Sequence, residues 1–231
     1  MPRNTDRILT THVGSLVRPP KLVEHLRKIE DKQPYDEAAY EACLTESIEE
    51  LVRRQADARI DIVSDGEFSK GVNWAFYIHS RLSGIGVRQT TPEEAKDPMA
   101  SMSGGRDRVE FPEFYKEYDE ASGLSKRLGR RIVINGPLKY SGQRQVQRDI
   151  ANLKAAAAKA GVEAFLPVVA PASALPGAKN EHYKSEEEYL FALADALHEE
   201  YQAIVDAGLY VQIDDAFLPY MHERMVPPMS N

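Results

Sequence analysis

The chain has 231 residues, 42% of them hydrophobic, and a formal net charge of −7. That composition can fill a sizeable core and excludes a disordered chain, and the negative balance does not indicate nucleic acid as a partner. No apolar run reaches the roughly 20 residues of a membrane span, the first residues lack a secretion-signal stretch, and a single cysteine, Cys43, excludes an internal disulfide framework, so the expectation is a cytoplasmic, enzyme-like domain.

The chain alternates strand and helix patterns. Strand-like runs occupy Arg7 to Val13, Ile60 to Ser64, Arg131 to Asn135, Glu163 to Val169 and Leu209 to Ile213. Helical patterns occupy 35–58, 69–82, 143–160 and 185–207. Such alternation predicts a parallel sheet with crossover helices, that is, an α/β fold. Cys43 falls among Ala39, Leu44, Ile48, Leu51 and Val52 in the first helical run and reads as a small buried hydrophobe. Ala160-Gly161 and Ala207-Gly208 close two helices with the glycine that favours a left-handed residue. Arg59 holds the same place after Ala58, so that helix either ends differently or Arg59 accepts strain. Ser185 with Glu188 is a capping-box signature. The polar stretch 87–130 is too long for a simple βα link and reads as an excursion over one mouth of the sheet, as a lid or a subunit contact.

Residues able to do chemistry gather at the predicted carboxyl ends of strands, where α/β proteins bind ligands. Thr10-Thr11-His12-Val13-Gly14-Ser15-Leu16 ends the first run. Gly14 permits close backbone approach and Ser15 offers a hydroxyl and an N–H. His12 is either a catalytic imidazole or a core histidine. Asp65-Gly66-Glu67-Phe68 puts a glycine between two acids in a tight turn, with Glu67 the ligand contact and Asp65 either a second contact or a helix cap. Asn135-Gly136-Pro137-Leu138-Lys139-Tyr140 and Ala170-Pro171-Ala172-Ser173 end the third and fourth runs. Asp214 and Asp215 end the fifth; adjacent strand residues point to opposite sides, so the two acids have different roles, with Asp214 suited to an ammonium group.

Thr-His-Val-Gly-Ser, Asp-Gly-Glu-Phe, Asn-Gly-Pro, Pro-Ala-Ser and Gln-Ile-Asp-Asp occur here in the order and spacing of the catalytic domain of cobalamin-independent methionine synthase. The chain resembles the short, homocysteine methyltransferase-like members over nearly its whole length. The resemblance implies a (β/α)8 TIM barrel, with about five of eight βα units within a single partial-barrel domain, 1–231. It implies transfer of a methyl group from methyltetrahydrofolate to the thiol of homocysteine, with zinc as cofactor. By resemblance, Val13, Gly14 and Ser15 hold the homocysteine carboxylate, and Glu67 and Asp214 hold its ammonium group, Glu67 also lying near the folate. Asp65, Asp215, His12 and Tyr140 are further candidates.

The sequence departs from the pattern at Ala216, where the family has proline, and lacks a match for the indole that stacks on folate. The family's zinc ligands, a His-x-Cys pair, a Glu and a second Cys on later strands, have no counterpart here, so no metal ligand is assigned; the expectation is either that residues are missing through truncation or proteolysis, or that a homo-oligomer or a completing chain closes the barrel. Two other readings remain: zinc-dependent alkylation of another thiol of the coenzyme M type, and a non-catalytic binding or assembly module that acts with a partner chain. A decarboxylase of the uroporphyrinogen type is disfavoured by the lack of an arginine cluster at the first strand.

Overall fold

A computed structural model of the chain describes residues 6–71, 76–94, 106–122, 129–175, 177–218 and 222. The chain enters along an extended segment that meets the sheet only at Thr11, bridged in parallel to Ile62. Asp61 holds that segment, accepting from the Thr10 amide at 2.7 Å and from Arg7 Nη1 at 2.8 Å. Helix α1 (Pro20–Glu30) follows, opened by a proline at the first turn, a helix the sequence pattern did not disclose. Helix α2 (Glu37–Asp57) starts where the Asp36 side chain accepts from the Ala39 amide, and buries Tyr40, Cys43, Leu44, Ile48 and Val52. Arg59 then takes φ of +62°, so the junction keeps the left-handed geometry and arginine bears the strain.

Strand β1 (Ile62–Ser64) is short. A helix is expected over 69–82; instead a 3-10 turn covers Phe76–Ser80 and strand β2 (Leu82–Gln89) begins two residues later, while 72–75 lie outside the described residues. Within the 87–130 stretch, which runs from the end of β2 to β3 (Arg130–Tyr140), helices α3 (Arg106–Glu110) and α4 (Pro112–Ser122) are described. Gln89 pairs with Arg130 at its base.

Helix α5 (Gln143–Ala160) ends in Gly161 at φ of +68°, and strand β4 (Glu163–Val169) follows. A short helix α6 (Pro171–Ala174) and a two-residue strand β5 (Lys179–Asn180) lead to α7 (Glu186–Asp206). Ser185 caps α7 by accepting from the Glu188 amide, while the Glu188 carboxylate accepts from the Lys184 amide, as the capping signature predicts to within one residue. Strand β6 (Tyr210–Asp214) is the last described strand.

Two three-stranded sheets result, ordered β1-β4-β6 and β2-β3-β5. The first is all parallel, with β4 central and buried from Ala164 to Val169, as a strand covered on both faces must be. This is the α/β, partial-barrel arrangement predicted, with two corrections. The run from Arg7 to Val13 forms no strand beyond its one bridge at Thr11. The run at 131–135 does not join the parallel sheet; it lies in β3, antiparallel to β2. Nor does Gly136-Pro137 end that strand, which runs on to Tyr140. The proline is tolerated because the pairing is irregular there, between Ser83 and Ile85, where a missing N–H breaks no ladder.

Gly84 makes that irregularity possible. It sits at φ of +82°, and a Cβ on it would lie 2.5 Å from the Pro137 carbonyl oxygen. Gly84→Ala is therefore expected to destabilise the fold by about 2 kcal/mol or more, through forbidden φ and backbone overlap together. Urea unfolding measures this, and a loss below about 0.5 kcal/mol contradicts the bulge assignment.

Candidate active site

β1 and β6 both run parallel to β4, so the turn after β1 and the last residue of β6 lie toward the same, carboxyl end of the sheet. After Ser64 the chain turns through Asp65, Gly66 and Glu67, with φ of +61° at Gly66 and +59° at Glu67. Gly66 has no room for a side chain, since a Cβ would approach Leu51 to 2.5 Å and Leu16 to 3.1 Å. Asp65 is fully buried and closes the turn by accepting from the Glu67 amide at 3.0 Å, so it caps a turn and not a helix. A left-handed glutamate away from glycine or asparagine costs about 1 kcal/mol or more, and such strain concentrates at functional sites.

The Glu67 side chain is 3% exposed and accepts from the Ser15 hydroxyl at 2.5 Å. Its backbone carbonyl accepts from Arg18 Nη2 at 2.6 Å, and the Leu16 amide donates to Gly66 at 3.1 Å. The Gly14-Ser15 turn is thus docked on the acidic turn, with Gly14 at φ of +88°, Val13 exposed and His12 half-buried beside it.

Asp214 closes β6, its carbonyl accepting from the Ala170 amide at 2.9 Å. Burial raises its carboxyl pKa, and the Glu67 carboxylate raises it further, while Lys70 opposes both. Asp215 points elsewhere, accepting from the Ser173 hydroxyl at 2.7 Å; Ser173 in turn accepts from the Phe217 amide. Asp215 thus braces the loop after β6 against α6. Tyr140 is not part of this rim. It is buried, donates to the Gly142 carbonyl at 3.3 Å and packs in the field of Arg81, Glu200 and Asp149.

Lys70 and Arg18 are the site residues the sequence pattern did not single out. Lys70 is 5% exposed, bonds the Pro167 carbonyl of β4 and lies 4.5 Å from the Tyr77 ring centroid. Burial lowers the Arg18 pKa against the pull of Glu67, Asp65 and Glu30. A cavity of about 500 Å³ opens next to Lys70 and Tyr77, between α1, α2 and α5, and does not include Glu67 or Asp214.

Residues 8–91 match the family described as cobalamin-independent synthase, catalytic domain. A methionine synthase of Sulfolobus acidocaldarius is 24% identical over 220 residues, 93% of this chain and 52% of that protein. The chain is thus similar to a methionine synthase over most of its length, and to the cobalamin-independent synthase catalytic domain over residues 8–91. Among solved structures, a B12-independent methionine synthase from Shewanella sp. W3-18-1, in complex with selenomethionine, aligns with a TM-score of 0.61 at 18% identity, over 89% of this chain and 51% of that one. A putative vitamin-B12 independent methionine synthase from Listeria monocytogenes aligns at 0.60 and 19%, over 93% and 55%. The chain spans about half the length of these relatives. The structural likeness fixes the fold as that of part of these proteins.

The zinc that the resemblance implies finds no fit among the described residues. No group of three or more His, Cys, Asp or Glu side chains converges there to hold a metal ion, and the one thiol, Cys43, is buried in α2.

Burial raises the Asp65 pKa to about 6, helped by Asp149 and the Glu67 carboxylate and opposed by Lys70 and the hydrogen bond from the Glu67 amide. A carboxyl that gains protons on folding stabilises the fold at low pH, and that contribution is lost as pH rises from about 4 to about 6. A shift of that size corresponds to about 3 kcal/mol. Asp65→Asn, which keeps the oxygen that accepts from Glu67, removes this slope. The stability difference between wild type and variant is therefore expected to change by about 3 kcal/mol between pH 4 and pH 7 in urea unfolding; parallel curves contradict it.

Proposed function

We propose that this chain supplies the amino-acid-binding part of a methyltransferase that moves a methyl group from a methyltetrahydrofolate to the thiol of homocysteine, yielding methionine. The observation that carries this reading is that the buried Glu67, bonded by Ser15, and Asp214 follow or end strands that both pair in parallel with β4. Two acids that repel each other, one braced by Ser15 and the other on a strand tip, suit a ligand that brings its own positive charge. An α-ammonium group has that charge and three donors to share between them. Gly14 and Ser15, docked against Glu67, would face the carboxylate end of the same ligand, with Val13 beside them.

In this reading the sulfur–methyl bond forms as the nitrogen–methyl bond of the folate breaks, and the amine nitrogen takes up a proton as it leaves. The thiolate is the nucleophile, and a free thiol with a pKa near ~8.5 is mostly protonated at neutral pH. Any zinc that ionises it would be held by residues outside those described. The part this chain plays is to fix the amino-acid end so that the sulfur has a set position. The likeness to methionine synthases supports the substrate, and a cytoplasmic location accords with it. No helix among the described residues is long and apolar enough to cross a membrane.

Calorimetry with L-homocysteine and with an amine-free thiol, 2-mercaptoethanesulfonate, tests the reading. Homocysteine is expected to bind and the amine-free thiol to bind at least tenfold more weakly. Glu67→Gln and Asp214→Asn should each weaken homocysteine by about 10- to 100-fold, the worth of a charge-assisted contact. Because an ammonium needs an ionised Asp214, and that carboxyl sits above the ordinary aspartate range, wild-type binding should weaken as pH falls through its raised midpoint. Equal binding of the two thiols, or unchanged affinity in both variants, overturns the assignment.

A further inference from the structure

The cavity of about 500 Å³ beside Lys70 and Tyr77 has no part in the acid rim, and its size is that of a small-molecule site. Its inner wall is buried. Leu26 of α1, Tyr40 of α2, Lys70 and Tyr77 line it, and each is at most 7% exposed. Ile29 extends the apolar part of that wall. The charges nearer the outside are already matched. Arg144 of α5 bonds Glu37 of α2, and Arg148 lies 3.3 Å from Glu41. Glu30, the third acid of the lining, lies against Gly71, where a Cβ would come within 2.6 Å of its Oε1.

Lys70 is different. Its ammonium group carries three N–H donors. One goes to the Pro167 carbonyl, and the Tyr77 ring centroid lies 4.5 Å away. Among the described residues no carboxylate forms an ion pair with it. A buried ammonium left in that state is costly unless a partner reaches its remaining donors from the cavity. The first turn of α5 borders the same space: Gly142 opens that helix with no side-chain cap, and Arg144 and Gln145 line the cavity. The leading N–H groups of a helix have no partner within it and favour negative charge. We infer that this cavity is a second binding site, for a small carboxylate with an aromatic or apolar body. The carboxylate meets Lys70, and the body packs among Leu26, Ile29 and Tyr40. A bare inorganic anion would leave those apolar walls in contact with water. The cavity includes neither Glu67 nor Asp214, so the inference does not depend on the amino-acid reading above.

Nitrogen-15 NMR of the full chain tests this with benzoate as the probe and with benzamide and inorganic phosphate beside it. Benzoate is expected to shift the amides of Lys70, Gly71 and Gln145 in a saturable way. It should bind about tenfold or more tightly than benzamide, the worth of a charge-assisted contact. Phosphate, which has the charge without the ring, should also bind about tenfold or more weakly than benzoate. Lys70→Gln should weaken benzoate about tenfold or more and leave benzamide nearly unchanged, while Asp214→Asn, outside the cavity, should leave benzoate unchanged. Ile29→Trp, which adds a ring to the lining and keeps Lys70, should abolish benzoate binding, and it judges the site if Lys70→Gln does not fold. No shift at the three amides, benzamide or phosphate as tight as benzoate, or undiminished benzoate binding in a folded Lys70→Gln or Ile29→Trp overturns the proposal.

Discussion

Parallel pairing of β1, β4 and β6 is the constraint on which the site depends, because it brings three strand ends to one rim. The registers differ, however. β1 stops opposite Phe165, whereas β6 continues to pair Asp214 with Val169, four residues farther along β4. At about 3.3 Å per residue that offset is roughly 13 Å. Past Ser64 the chain leaves the sheet through Asp65, Gly66 and Glu67, with left-handed φ at the last two. The strain at Glu67 is held by the Ser15 and Arg18 contacts and by burial of Asp65 beneath it.

The second sheet is joined to helices α5 and α7 in part by buried charge. Arg81, at the start of β2, donates to Glu200 of α7 at 2.6 Å and to Asp149 of α5 at 2.5 Å, with all three side chains at most 3% exposed. Arg148 adds a contact to Asp149 at 3.0 Å, so two guanidinium groups meet two carboxylates. Buried pairs of this kind add little net stability over apolar packing, but removing one partner is expensive, which fixes the relative placement of the elements they join. Arg81 also packs on Tyr77, whose hydroxyl meets Val169, so the anchored hairpin continues into the support of β4 beneath the acid rim.

Helices were legible because their signals are local. The runs at 35–58, 143–160 and 185–207 correspond to α2, α5 and α7 within two residues, since caps such as Asp36 and Ser185 and terminal glycines lie next to the residues they govern. The acid tips were legible for the same reason: Glu67 and Asp214 each end an apolar run. Strand partners were not. The Ile132-Val133-Ile134 segment reads as a strand whichever sheet it joins, and only the long-range pairing with β2, itself obscured by Gly84 and Gly86, decides the matter. Lys70 was hidden because a single charged residue in a polar stretch looks like solvated surface. Its burial depends on Pro167, 97 residues away. Tyr140 misled through proximity to a motif, and its ring belongs to the Arg81 cluster.

The central claim is that Glu67 and Asp214 occupy one site. The most direct measurement is the titration of the Asp214 carboxyl by carbon-13 NMR in wild type and in Glu67→Gln. The account predicts that removing the Glu67 charge lowers the Asp214 midpoint toward the ordinary aspartate range, because that charge raises it in the wild type. An Asp214 midpoint that does not move when Glu67 is neutralised, in a variant that remains folded, would contradict it.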